Sequence, residues 1–207
     1  MTKKPIRMLA GLWMGAMMLT AVAVHAQAQS EPPPPPILMP TLLPAEPQPD
    51  AATLNDGLAV RYYFAKYNHI RELVDWMKYD DGVQGKPLAM IDHADTPGNV
   101  LTTTNNMLVG AHITGFLRFA DPGTYRLRVI SNDGVRVTIS GRKVFEDPGV
   151  HMASTSPDLV YDVTQPGWYP LDILYYQKKG TSALQLHWQP PGAEGFVPVP
   201  GLAFKHP

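Results

Sequence analysis

From Leu58 to Trp188 the chain is written in short runs that alternate apolar and polar residues. Leu58, Val60, Tyr62 and Phe64 alternate with Ala59, Arg61 and Tyr63, the period-two pattern of a strand with one buried face. Tyr125, Leu127 and Val129 alternate with Arg126 and Arg128, and Val135, Val137 and Ile139 with Arg136 and Thr138. Tyr169, Leu171, Ile173 and Tyr175 share a face, as do Leu184, Leu186 and Trp188 opposite Gln185 and His187. Turn signals separate these runs at Asp121-Pro122-Gly123, Asn132-Asp133-Gly134, Ser140-Gly141 and Lys179-Gly180. The gaps are too short for crossover helices, so the pattern predicts an all-β fold, an antiparallel β-sandwich or barrel, over residues 54–207. Glu72 to Met77 fits either a helical turn or a short strand. Asp80 to Asn106 reads as long surface loops, a length that in a compact β domain often carries function.

The first 53 residues are written differently. Lys3, Lys4 and Arg7 precede an apolar run from Met8 to Val24, followed by the small-residue sites Val24-His25-Ala26 and Ala26-Gln27-Ala28. That order predicts a secretory signal peptide over residues 1–28, cut after Ala26 or Ala28. The alternative is an uncleaved anchor, but Gly11, Gly15 and repeated alanines weaken the run as a permanent span. The protein is thus expected to be exported to a periplasm or the extracellular space, with no membrane insertion after cleavage. Residues 29–53 are a proline-rich linker, with five consecutive prolines from Pro32 to Pro36. Proline fixes φ and removes a donor, so this stretch is expected to be extended and unpacked. It reads as a disordered spacer, or as a proline-rich ligand for an envelope protein.

Composition narrows the chemistry. The 207 residues contain no cysteine, which excludes disulfides, thiol nucleophiles, cysteine-ligated zinc and a cysteine-linked lipid. The formal charge is −1. Three of the basic residues lie in the leader and no acid does, so the mature chain is more acidic still. Such a surface is a poor match for nucleic acid or anionic lipid. No Gly-x-Ser-x-Gly elbow, phosphate-cradling Gly-Lys-Ser/Thr loop or dinucleotide fingerprint is present. Glu72, Glu146 and Asp172 offer no reason to choose a glycosidase pair. The expectation is a protein that is not an enzyme.

An ordered set of segments carries a family resemblance. Thr114-Gly115-Phe116-Leu117 leads to the run from Gly123 to Val137, then to Ser140-Gly141 and Val144. Pro166 to Tyr176, Gly180, Leu184-Gln185-Leu186-His187-Trp188 and Pro190 follow in order, and Gly57 to Tyr63 fits the opening strand. Together, over most of residues 57–200, these resemble the protective-antigen-type ("PA-fourteen") β-barrel domain. The resemblance implies a barrel-like sandwich found in toxins, adhesins and glycosidase insertions, many of whose members bind glycans. In the sugar-binding adhesins two adjacent aspartates, joined by a cis peptide, hold a calcium ion that ligates sugar hydroxyls. Here the pair reads Asn132-Asp133. A carboxamide oxygen can ligate calcium, but a full negative charge is missing, so weaker binding is expected. The same tripeptide also reads, more simply, as a tight turn without metal.

The resemblance therefore makes Asn132 and Asp133 the candidate calcium ligands and part of a carbohydrate site. Trp168, on the face opposite Tyr169, is the candidate exposed stacking ring, with packing at the barrel end as its equal alternative, and His151, in the loop Glu146–Pro157, is a further rim candidate. Trp188 shares its face with Leu184 and Leu186 and is expected in the core. Asp80-Asp81-Gly82 is read as a solvated turn and His93, between Asp92 and Asp95, as part of a surface loop. The expected function is an exported, non-catalytic, lectin-like module for a glycan or polysaccharide. A structural or protein-interaction role in an envelope assembly is the alternative.

Overall fold

The structure, a computed structural model, describes residues 34–207; the signal peptide expected over residues 1–28 lies outside them. In chain order the strands are β1 (Ile37–Leu38), β2 (Asn55–Asp56), β3 (Ala59–Phe64), β4 (Val83–Gln84), β5 (Asp92–Thr96), β6 (Val109–Phe119), β7 (Gly123–Asn132), β8 (Val135–Ile139), β9 (Arg142–Asp147), β10 (Ser154–Thr155), β11 (Leu159–Val163), β12 (Gly167–Gln177), β13 (Ser182–Gln189), β14 (Val197–Pro198) and β15 (Phe204–His206). A single α-helix, α1 (Ile70–Trp76), and two short 3-10 turns, Ala51–Thr53 and Gly201–Ala203, join them among the described residues. One sheet has the order β1-β11-β7-β13-β14, with β10 on β7 and β5 on β13. The other runs β2-β15-β6-β12-β8-β9, with β3 on β6 and β4 on β3. All pairings are antiparallel except β1 with β11. The fold is a β-sandwich, and no helix among the described residues is long and apolar enough to cross a membrane.

The inward faces are those the alternation marks. Tyr125, Leu127 and Val129 from β7 meet Tyr169, Leu171 and Ile173 from β12 in one continuous core. Phe119 binds the layers together: its ring centroid lies 4.8 Å from that of Tyr125 and 4.9 Å from that of Tyr169, both edge-on, the arrangement aromatic quadrupoles prefer. Trp188 completes this cluster. The β8–β9 hairpin closes through Ser140 and Gly141 at φ 52° and 72°, a two-residue turn whose twist matches its strands.

Where alternation fails, a second layer lies outside the sandwich. Tyr63, Leu174 and Tyr176 point away from the main core yet are buried, because α1 covers them with Ile70 and Leu73. Residues 70–76 form a helix because both ends of the first turn are closed. His69 Nδ1 accepts from Arg71 N, and Glu72 Oε2 accepts from Asn68 N, a reciprocal cap. Gly110 lets the helix approach, since a Cβ there would sit 2.6 Å from Leu73 Cδ1. Phe64, expected inward, is instead 43% exposed.

The described part of the proline-rich segment is also not an unpacked spacer. Ile37 N donates to Asp158 O and Met39 N to Val160 O, laying β1 along the edge of β11. Leu42 is buried in the core, and Ser140 Oγ donates to Leu43 O. Gln48 grips the backbone of Trp168 at both ends: its Oε1 accepts from Trp168 N at 2.7 Å and its Nε2 donates to Trp168 O at 3.0 Å. Prolines do not pair, but the non-proline residues between them do, and they carry the apolar side chains that dock.

The long region 80–106 likewise contributes strands and core, with Leu88, Ile91 and Val100 buried. Within it, His93 Nε2 lies 2.7 Å from Ser182 Oγ on β13, and burial holds its pKa below the usual 6.5. The fold therefore favours the neutral ring, and its contribution is complete above about pH 7. Stability should fall as pH drops through 6.5 toward the depressed folded value, because the unfolded chain then binds the proton more readily. Urea unfolding at pH 7.5 and pH 5 should show a smaller acid loss for His93→Gln than for wild type; equal losses would refute this.

Candidate functional site

β7 ends at Asn132 and β8 begins at Val135, but the two strands lie in different sheets. Asn132-Asp133-Gly134 is thus not a hairpin turn; it is the corner where the chain crosses between sheets. The Asn132–Asp133 peptide is cis. Gly134 is required by space rather than by φ: a Cβ there would lie 2.4 Å from Tyr176 Cε1 and 2.9 Å from Pro148 O. Tyr176 N donates to Gly134 O, which fixes the corner against β12.

Two loops close over this corner. Asp133 is 3% exposed, and its carboxylate takes two backbone donors. Oδ1 accepts from His151 N at 3.2 Å, and Oδ2 accepts from Lys178 N at 2.8 Å. One carboxylate therefore ties together the loop after β9 and the loop between β12 and β13. Asn132, also buried, donates from Nδ2 to Asp95 Oδ1 and to Thr181 Oγ1, both at 3.1 Å. Its carbonyl accepts from Tyr175 OH at 2.6 Å. Burial, with the Asp133 carboxylate second, pushes the Tyr175 phenol well up, so it stays protonated and donates.

The structure brings three of the four sequence candidates together. Asn132, Asp133 and His151 converge, but under the loops rather than at an open mouth. His151 acts through its backbone, while its ring Nδ1 lies 2.7 Å from Met152 O in the same loop. Pro148 O accepts from Ile70 N and from Tyr176 OH, so the start of α1 holds the same loop.

Trp168 is the exception. It is 6% exposed, with Ala45 N and the Gln48 side chain bonded to its backbone and the Arg118 guanidinium 5.7 Å from its ring centroid. It is no exposed stacking platform, because the proline-rich segment covers it.

Sequence reading missed Asp95, Gln177 and Thr181. Gln177 had a signal: it continues the inward face of Tyr169, Leu171, Ile173 and Tyr175, where a polar side chain needs a partner. It is fully buried, its Nε2 donates to Thr181 O, and its Oε1 has no hydrogen-bond partner. Asp95 had none, since only the pairing of β5 with β13 brings it to Asn132.

Calcium requires oxygen ligands. The corner offers the Asp133 carboxylate, both of whose oxygens already accept backbone donors, and the Asn132 amide, whose nitrogen is bonded to Asp95 and Thr181. No group of three or more His, Cys, Asp or Glu positioned for a metal occurs among the described residues. The donors are of the oxygen type that calcium takes, and they are poor in charge.

The PA14 domain family matches residues 73–201. Among solved structures, the PA14 domain of the MpAFP antifreeze protein superposes with a TM-score of 0.63 at 17% identity, covering 76% of this chain and 93% of that one. A PA14 sugar-binding domain from an RTX adhesin gives 0.59 at 19%, covering 73% and 99%. The A domain of epithelial adhesin 6 from Candida glabrata, solved with Galβ1-3GlcNAc, gives 0.60 at 13%, covering 77% and 90%. No curated protein matches the chain. With the family match spanning more than half of the chain, the protein belongs to the PA14 domain family.

Proposed function

We propose that this protein is an exported, non-catalytic module that binds a glycan at the loop-covered end of the sandwich around Asn132 and Asp133. The observation that carries the reading is the buried Asp133 carboxylate, which holds both loops at the corner where the chain crosses between sheets. Structural neighbours described as sugar-binding or as sugar complexes support it. In this reading Asp133 and Asn132 would hold a calcium ion, whose charge would attract the oxygens of sugar hydroxyls. A glycan-array screen followed by calorimetry with and without a chelator tests it. Binding that chelation abolishes is the expected result. Binding indifferent to chelation would remove calcium, and silence on all glycans would remove the reading.

The alternative, a protein-interaction module using the proline-rich segment, loses ground from Ile37 onward, where that segment already pairs with β11. A single protein partner captured from envelope extracts, with no glycan bound, would restore it.

A charge-restoring substitution gives a sharper test. Asn132→Asp would place a carboxylate against Asp95, now 3.1 Å from Asn132 Nδ2, and remove a hydrogen bond. Without calcium the variant should be less stable by roughly 1–3 kcal/mol. With calcium its melting temperature should rise more than that of wild type, because the ion offsets the added repulsion. A variant that calcium stabilises no better than wild type would count against an ion at this corner.

A further inference from the structure

The end of α1 and the turn after it carry aromatic rings that the core does not use. The helix turns Ile70 and Leu73 inward and leaves Arg71, Glu72, Asp75 and Trp76 outside. Trp76 is 45% exposed and Tyr79 90%, and neither ring stacks on another aromatic ring among the described residues. Trp76 is nonetheless held in one orientation. Its Nε1 donates to Asp80 Oδ2 at 3.0 Å, and Asp80 Oδ1 accepts from Gly82 N at 2.7 Å. Gly82 in turn lies against the Tyr63 ring, where a Cβ would stand 2.7 Å from Tyr63 Cε1. The indole is displayed to solvent and fixed in place.

The charge around it is unbalanced. Residues 70–84 hold four acidic side chains, Glu72, Asp75, Asp80 and Asp81, against Arg71 and Lys78. Lys78 is taken by Asp75, with Nζ 2.6 Å from Oδ1. Arg61 reaches the turn from β3 but donates to the Asp81 carbonyl, not to its carboxylate. Among the described residues neither Asp80 nor Asp81 forms an ion pair, and the Asp81 carboxylate accepts no hydrogen bond. Behind the turn, the Tyr67 hydroxyl is buried without a hydrogen-bond partner. Burial first, and the Asp80 carboxylate second, push that phenol's pKa up.

We infer that the end of α1 and its turn into β4 are a docking surface for a protein partner that presents arginine side chains. A guanidinium carries its charge on a planar face, so it stacks on an indole or phenol while meeting the carboxylates beside them. Tryptophan and tyrosine are side chains that anchor protein interfaces. The occupant is a chain rather than a free cation because rings this exposed have no wall around them. A small ion would meet one ring face only, whereas a bound segment covers both rings and Val83, itself 58% exposed. The acidic turn repels anionic lipid and nucleic acid. This inference does not rest on glycan binding at the Asp133 corner.

Fluorescence reads the surface directly, since Trp168 and Trp188 are buried and Trp76 is the exposed tryptophan among the described residues. The mature chain is titrated with a synthetic peptide of alternating arginine and glycine, and with its citrulline counterpart, which keeps the shape and loses the charge. The arginine peptide should change Trp76 emission saturably, and more weakly at high salt; the citrulline peptide should leave it unchanged. Tyr79→Ala and Asp81→Asn alter side chains that make no hydrogen bond in the fold, so both should keep the wild-type melting temperature. Each should lose roughly tenfold in affinity for the arginine peptide. Trp76→Phe should keep binding by calorimetry while losing the emission signal, and Trp76→Ala should lose both. No response to the arginine peptide, an equal response to the citrulline peptide, or undiminished binding in Tyr79→Ala and Asp81→Asn would overturn the inference. Binding to phosphatidylcholine vesicles without binding to the peptide would assign the rings to a lipid surface, and would overturn it too.

Discussion

Asp133→Ala and Asp133→Asn should both abolish ligand binding at the corner and both lower the melting temperature, and the asparagine should be little better than the alanine. The reason is the two donors that converge on one carboxylate. His151 N and Lys178 N reach different oxygens, so both oxygens must accept. Asparagine can turn its carbonyl to one of them only by presenting its NH2 group to the other, which sets donor against donor in a buried site. Alanine leaves both donors without a partner, at roughly 1–3 kcal/mol for each. Because Asp133 joins the loop after β9 to the loop between β12 and β13, its loss should also free both loops. Hydrogen exchange should report faster exchange at His151 and Lys178 than at core amides such as Leu171. A full-strength ligand response in Asp133→Asn, or unchanged exchange at those two amides, would show that the carboxylate is not the tie the geometry makes it. Asp158, which pairs with Arg128 away from the corner, is the control position: Asp158→Asn should leave ligand binding intact.

The second large effect is expected from a segment that its composition marks as a spacer. A chain that begins at residue 51 should melt roughly 10 °C or more below one that keeps residues 34–50, and should aggregate more readily. Leu42 is 2% exposed within the main core, and truncating such a leucine costs about 2–5 kcal/mol. For a domain of this size each 1 kcal/mol moves the melting temperature by roughly 2–4 °C. Removing the segment also uncovers Trp168 and strips the Gln48 amide from its backbone. It leaves β11 without its β1 neighbour, and an unpaired edge strand is a template for pairing with other chains. Leu42→Ala alone should reproduce the core part of the loss, and Gln48→Ala a smaller part. Equal melting temperatures for the shortened and full chains would mean that the segment rests on the domain without stabilising it. Glycan affinity, by contrast, should survive Gln48→Ala, since Trp168 lies under this segment and not at the Asp133 corner.

The same residues show what could be read from the chain alone. Alternation identified the inward faces of β7, β8, β12 and β13, because a sheet buried on one side forces a period of two on its side chains. It misread positions where a second layer packs outside the sandwich. Tyr63 and Tyr176 lie on the polar phase of their strands and are buried by α1, and Trp168 lies on the outer face of β12 and is buried by the proline-rich segment. Neither cover is visible in a local pattern, since it depends on a distant segment returning to that face.

The chemistry of the corner divides along the same line. The sequence by itself determined that a carboxylate follows an amide between two strands, that no thiol or basic surface is available, and that the order of strands and turns is that of a PA14 domain. Only the tertiary structure decided that Asn132-Asp133-Gly134 is a crossing between sheets instead of a hairpin turn. It alone placed Gln177, Thr181 and Asp95 around the corner and closed two loops over Asp133. Hydrogen bonds between neighbours in sequence leave a mark in spacing, whereas those that span tens of residues, such as Lys178 N to Asp133 Oδ2 and Asn132 Nδ2 to Asp95 Oδ1, exist only once the sheets have set their register.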